Sequence, residues 1–114
     1  MKLEWIMDVP LDNHIRIIME TAAAQCLHAE GITLPCGVCV RLCDDVYIAS
    51  INQNTRGIPG STDVLSFPTV DYPEGCTAGS CTDLLRQEYD DDIQACFLGD
   101  IIISVPHLYA QAAE

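Results

Sequence analysis

Arg56 is the residue whose type and setting best fit the binding of an anion. It is one of five basic residues in a chain with 17 acidic residues and a formal net charge of −12. A guanidinium group stays charged at physiological pH and forms paired hydrogen bonds with phosphate oxygens. The residues that follow it, GIPGS, are typical of a rigid turn, and Asp63 is near enough in sequence to hold the arginine in place. Two interpretations stay open at this point, a surface salt bridge and a phosphate contact.

The cysteines and histidines are not spaced to hold a metal ion together. Cys36 and Cys39 fall on opposite faces of a predicted strand, and Cys39 and Cys43 share a face but lie about 13 Å apart. His14 and His28 lie about 21 Å apart along one predicted helix. We therefore predict no metal ligands in this chain and expect the thiols to pack as small apolar residues.

Composition and charge limit the classes of protein to which this chain can belong. No apolar run approaches the roughly 20 residues needed to cross a bilayer, and the N-terminus lacks the features of a signal peptide. We therefore predict a location in the cytoplasm. The length of 114 residues predicts a single domain over residues 1–114. The negative charge argues against broad electrostatic binding of nucleic acid or of anionic lipid, and we expect neither DNA nor a membrane as a partner. Residues 71–92 hold seven acids and one base, so a predicted loop over residues 70–95, which includes one helical turn, carries much of that charge.

Hydrophobic periodicity predicts an α+β fold with a four-stranded mixed sheet packed with helices. Asp12 is expected to cap the first helix, Asp44 or Asp45 the second, and Ser104 the last. The predicted elements are a strand over 2–8, a helix over 11–31, a strand over 36–43, a helix over 44–52, a strand over 62–68, a strand over 97–104 and a helix from 104. This last helical pattern reaches Glu114 without a stop signal, so we expect a chain that is incomplete at its C-terminus.

The stretch INQNTRGIPGSTDVLSFP, followed by FLGDIIIS and QAAE, resembles the YbeY family of bacterial endoribonucleases, also called rRNA maturation factors. The resemblance rests on positions that match the family's two motifs in order: Asn52, Arg56, Gly57, Thr62 to Pro68, Leu98 to Asp100, and Ser104. It departs from the family at Thr55, where Phe or Tyr is usual, and at Pro59 to Ser61. The resemblance implies a YbeY-like domain that is incomplete at its C-terminus.

The resemblance also implies a function, a zinc-dependent endoribonuclease directed to single strands, acting in rRNA maturation and ribosome quality control. The implied catalytic residue is Arg56, and Arg56, Asp63, Ser66 and Asp100 are the implied substrate-binding residues. The implied partners are an rRNA precursor and the ribosome or a ribosomal protein.

Zinc in the family is held by a His-x3-His-x5-His motif downstream of the residues matched here. This chain ends before that motif, and His107 matches none of its positions. We therefore expect no zinc in this chain and no activity from the chain alone.

Two other functions stay open. The acidic loop and the missing ligands favour a non-catalytic interaction domain that binds a basic ribosomal protein. A metalloprotease-like hydrolase shares the family's ligand pattern, and only Arg56 separates it from the nuclease.

Overall fold

A computed structural model describes residues 1–69 and 82–112 of the chain. In these two ranges the predicted α+β class is confirmed. None of the helices there is both long and apolar enough to cross a membrane. The elements, in chain order, are β1 (Lys2–Met7), α1 (Asn13–Ala29), β2 (Cys36–Cys43), α2 (Asp45–Arg56), β3 (Val64–Pro68), α3 (Thr82–Arg86), β4 (Tyr89–Asp90), β5 (Ala95–Ser104) and α4 (Val105–Ala112).

The sheet contains the four predicted strands and one strand that the sequence did not predict. The strand order is β1-β2-β5-β3, and β4 pairs with β5. The β4–β5 pairing is antiparallel and sets Tyr89 opposite Cys96 and Asp90 opposite Ala95. A strand of two residues is too short to show an alternating pattern, which is why the predicted count of four strands was one too low.

Within the predicted loop over 70–95, residues 70–81 lie outside the described residues, α3 matches the one helical turn expected there, and β4 was not predicted. From Thr82 onward the chain forms α3 and β4 before β5 begins at Ala95. Leu85 is 1% exposed, and this buried side chain explains why a short helix forms in an acidic segment. The Phe97 amide then donates to the Glu88 carbonyl at 2.8 Å, which ties the end of this segment to β5.

Local sequence signals explain where α1 and α2 begin. Asp12 accepts a hydrogen bond from the His14 amide at 2.8 Å, and Asp44 accepts one from the Tyr47 amide at 2.8 Å. Both caps were predicted. The helical periodicity of α1 suggested a buried face, yet no residue of α1 is buried, and Ile18 is 53% exposed.

The described chain forms two compact units, each with its own buried residues. The first comprises Met1–Glu4, Asp12–Val38 and Pro68–Gly99, and the second comprises Trp5–Leu11, Cys39–Phe67 and Asp100–Glu114. The single domain predicted over residues 1–114 stays a prediction. Buried apolar residues of the first unit are Cys36, Val38, Leu85, Ala95 and Cys96. The core of the second unit is Cys43, Ile48, Leu65 and Ile102, with Tyr47, Ile51 and Phe67 packed against it.

Candidate functional site

The segment that holds Arg56 is the end of α2 and the turn after it, both in the second unit. The predicted helix stopped at residue 52, but α2 continues to Arg56 and makes it the last helical residue. Gly57 ends the helix in the left-handed conformation, with φ of 67°, and its amide donates to the Gln53 carbonyl at 3.0 Å. Arg56 therefore lies within the helix, not after it, and its backbone position is fixed by the helix end.

The Arg56 side chain is exposed. Within residues 1–69 and 82–112 it makes no hydrogen bond and no ion pair. A cation in the last turn also interacts favourably with the negative end of the helix dipole, which is a sufficient structural role for an arginine here. The geometry nevertheless leaves the guanidinium group accessible to an anion from solvent.

Asp63 does not hold Arg56 in the described structure. Its carboxylate accepts hydrogen bonds from Gln111 Nε2 at 3.2 Å, from the Val64 amide at 2.8 Å and from Thr62 Oγ1 at 3.3 Å. The Gln111 hydrogen bond, followed by that of the Val64 amide, lowers the pKa of Asp63 below its ordinary value. Asp63 therefore connects the start of β3 to α4.

Ser66 and Asp100 lie on β3 and β5, and both are exposed. Asp100 lines an open groove of about 320 Å³ in the second unit, together with Arg41, Tyr47 and Phe67 and the isoleucines 6, 51, 101 and 102. Arg56, Asp63 and Ser66 are not among the residues that line it. The structure thus places one of the four predicted substrate-binding residues in this groove and leaves the other three outside it.

Arg41 is a groove residue that the sequence reasoning did not propose. Its Nε donates to Asp8 Oδ2 at 2.8 Å, and its guanidinium lies 4.5 Å from the centroid of the Tyr47 ring. The hydrogen bond to Asp8 raises the pKa of Arg41, so its positive charge is already matched by a carboxylate. The available signal was the strand alternation, which places Arg41 on the same face as Cys39 and Cys43.

A second polar cluster joins the first turns of α2 and α4. Asp45 Oδ1 accepts a hydrogen bond from Ser104 Oγ at 2.6 Å and lies 2.6 Å from His107 Nδ1. These contacts, that of Ser104 first, lower the pKa of Asp45. Because α2 rises about 1.5 Å per residue, this cluster lies about 16 Å along the helix from Arg56. Asp45 and Arg56 are therefore at opposite ends of α2.

The described residues do not fit a zinc site. His14 and His28 belong to α1, whereas His107 belongs to α4 and contacts Asp45. Among residues 1–69 and 82–112, no three histidine, cysteine or acidic side chains come together in a group that could hold a metal ion. No chemical step through a metal is therefore derived from these residues.

Comparison with known proteins identifies a consistent set of relatives. A family model described as Endoribonuclease YbeY matches residues 6–114. A protein named Endoribonuclease YbeY from Acetivibrio thermocellus is 36% identical over 113 residues, which are 98% of this chain and 67% of the relative. Proteins of the same name from Clostridium botulinum (strain Alaska E43) and Chloroflexus aggregans are 35% and 30% identical, over 90% and 98% of this chain and 60% and 67% of their own lengths.

The chain spans only part of these and other similar relatives, between 58% and 67% of their own lengths.

Proposed function

The chain belongs to the YbeY family, and on that basis we propose that the protein is an endoribonuclease directed to single-stranded RNA. Its relatives are named Endoribonuclease YbeY, and this name supports RNA cleavage as the reaction class. We propose further that the substrate is an rRNA precursor in the cytoplasm, that the reaction serves rRNA maturation and ribosome quality control, and that the ribosome or a ribosomal protein is a partner.

The observation that best supports this proposal is the accessibility of the Arg56 side chain. Its guanidinium is exposed and, within the described residues, unpaired, at a helix end that a glycine cap defines. We assign it to binding the scissile phosphate and stabilising the charge that develops during cleavage. Phosphate offers two oxygens to the planar guanidinium, a geometry that lysine cannot match.

The other predicted substrate-binding residues take supporting roles in this proposal. Asp63 positions the start of β3 through its hydrogen bonds, Ser66 offers an exposed hydroxyl on that strand, and Asp100 offers a carboxylate at the groove. The resemblance implies zinc, but the described residues contain no set of side chains that could hold it. The roles proposed for these residues therefore do not involve a metal.

The proposal is tested by RNA binding with two matched arginine variants. Arg56→Ala and Arg86→Ala each remove one exposed guanidinium and change the net charge equally. Binding of a fluorescein-labelled single-stranded oligoribonucleotide is measured by anisotropy over a range of low salt concentrations. For Arg56→Ala we expect weaker binding and a slope of log affinity against log salt that is smaller by about 0.7, the value for one lost phosphate contact.

Arg86→Ala is the control, because Arg86 lies in α3 of the first unit, 3.9 Å from Asp83. We expect its salt slope to match that of the unmodified protein. Equal slopes for all three proteins would remove Arg56 from phosphate binding.

A second candidate function is supported by the acidic face of the first unit. Glu88, Asp90, Asp91 and Asp92 line an open concavity of about 500 Å³. We propose as the alternative a non-catalytic domain that binds a basic ribosomal protein through this surface. In that case a basic protein should bind equally well to the Arg56→Ala variant, whereas the oligoribonucleotide should not bind at all.

A further inference from the structure

We propose that Asn52 is a positioning residue for Arg56: its side-chain amide clamps the turn after α2 and so fixes the helix end that presents the guanidinium to RNA. The inference rests on the proposed function, because it assigns Asn52 a role through Arg56 rather than through contact with RNA.

Burial singles out Asn52 among the polar residues. It is 6% exposed, and the only other buried polar or charged residue in the described ranges is Ser104. A buried amide needs hydrogen-bond partners, since an unsatisfied one destabilises the fold. Asn52 Nδ2 donates to the Gly60 carbonyl at 3.2 Å, across eight residues of chain. This side chain therefore connects the buried face of α2 to the far end of the turn.

The turn has little else to hold it. A Cβ built on Gly57 or on Gly60 would meet no atom within 4 Å apart from its chain neighbours, so no side chain packs against the turn on that side. Ile58, between them, is 52% exposed. Packing therefore does not define the turn at these positions, and two hydrogen bonds do: Gly57 N to the Gln53 carbonyl, and Asn52 Nδ2 to the Gly60 carbonyl.

Loss of the Asn52 bond should affect Arg56 directly. The last turn of a helix frays when the chain that follows is released, because its carbonyl groups lack partners within the helix. Arg56 has no side-chain partner within the described residues to hold it in place, so the helix end alone sets where its guanidinium begins. Fraying would let the Arg56 side chain adopt many orientations. The entropy lost when RNA binding orders this side chain again would weaken the affinity.

The experiment is a double-mutant cycle in RNA binding. Asn52→Leu keeps a similar volume and adds no charge but cannot donate to Gly60. It is made in the unmodified protein and in Arg56→Ala, and binding of the labelled oligoribonucleotide is measured for all four proteins. We expect Asn52→Leu to weaken binding about threefold to fivefold in the unmodified protein and to have almost no effect beside Arg56→Ala, a coupling typical of residues that act together.

Hydrogen exchange supplies the second measurement and Ser104→Ala the control. In Asn52→Leu the Gly57 amide, which donates to the Gln53 carbonyl, should exchange faster, while the amides of β2 stay protected. Ser104→Ala perturbs the other buried polar residue without touching the turn, so it should lower the melting temperature without coupling to Arg56. Asn52→Ala is the substitute if the leucine does not fit.

The outcomes separate this inference from the proposed function. If Arg56→Ala weakens binding and Asn52→Leu does not, or if the two effects simply multiply, the role of Asn52 is refuted and the proposed function stands. If Arg56→Ala behaves as Arg86→Ala does, the proposed function fails, and the role of Asn52 fails with it. Unchanged exchange at the Gly57 amide would also refute the clamp.

Discussion

At the scale of single residues, the five basic side chains differ in whether they have a side-chain partner within the described residues. Arg41 contacts Asp8 at 2.8 Å, Arg86 lies 3.9 Å from Asp83, and Lys2 lies 3.7 Å from Glu4. Arg16 donates to Asn13 at 2.8 Å. Arg56 alone among them has no such partner within the described residues. This difference is the physical reason for expecting an anion at Arg56 rather than at the other four.

The cysteines give a prediction at the same scale. Burial raises the pKa of the Cys36 and Cys43 thiols above its ordinary value, whereas Cys26 is exposed on α1. Because the thiolate is the reactive form, a buried thiol with a raised pKa reacts slowly. In the native protein at pH 8 we expect iodoacetamide to modify Cys26 well before Cys36 or Cys43, as followed by peptide mass spectrometry.

The control for this prediction is the same reaction in guanidinium chloride, where the three rates should converge. Equal rates in the native protein would mean that the two strand cysteines are accessible. The buried state of Cys36, Cys43 and Cys96 agrees with the sequence prediction of thiols that pack as small apolar residues, while Cys26 lies outside any core.

At the scale of elements, α4 is attached to its unit by two carboxylates. Asp45 of α2 contacts Ser104 and His107 at the start of α4, and Asp63 accepts from Gln111 near its end. The Ser104 cap was predicted, and the His107 amide approaches Ser104 Oγ at 3.4 Å. The contacts of the two acids were not predictable, because they join residues that lie 48 to 62 positions apart in sequence.

Asp63 gives the pH prediction for this element, since the partners of its carboxylate do not titrate. The pKa of Asp63 is lower in the folded protein than in the unfolded chain, where it is about 3.9. The ionised carboxylate therefore stabilises the fold fully above about pH 3.9, and this stabilisation is lost as pH falls through the lower pKa of the folded protein. Asp63→Asn should therefore melt below the unmodified protein at pH 7. The difference between their melting temperatures should shrink as pH falls below about 4.

Asp91→Asn serves as the control, because Asp91 is an exposed acid in the segment after β4. At pH 7 we expect Asp91→Asn to melt no lower than the unmodified protein, so it has no deficit in melting temperature that could shrink as pH falls. A deficit for Asp63→Asn that is the same at pH 3 and pH 7 would contradict the carboxylate's role.

The elements that were predicted well from sequence are those whose own residues carry the pattern, either the alternation of a strand or the cap of a helix. β2 has its predicted bounds, and the caps at Asp12 and Asp44 are as expected. β4 depends on tertiary pairing, so its local sequence is uninformative. In the site, the motif located Arg56, but the groove that holds Asp100 and Arg41 is defined by packing of distant strands against α2.

At the scale of the whole molecule, the excess of acids should itself affect stability. The formal net charge of −12 produces repulsion within the folded chain, because 17 acids stand against five lysines and arginines. Salt screens exposed charges, with a Debye length that falls from about 30 Å at 0.01 M to about 8 Å at 0.15 M. Screening should therefore relieve more repulsion than it weakens attraction.

We expect the melting temperature to rise by a few degrees when sodium chloride is raised from about 10 to about 150 mM at pH 7. The double variant Asp91→Asn, Asp92→Asn removes two exposed charges from the acidic concavity, so it should melt higher at low salt and gain less from added salt. A melting temperature that falls with salt would mean that ion pairs, not repulsion, dominate the charge energy. In that case the acidic side chains would stabilise the fold through their ion pairs.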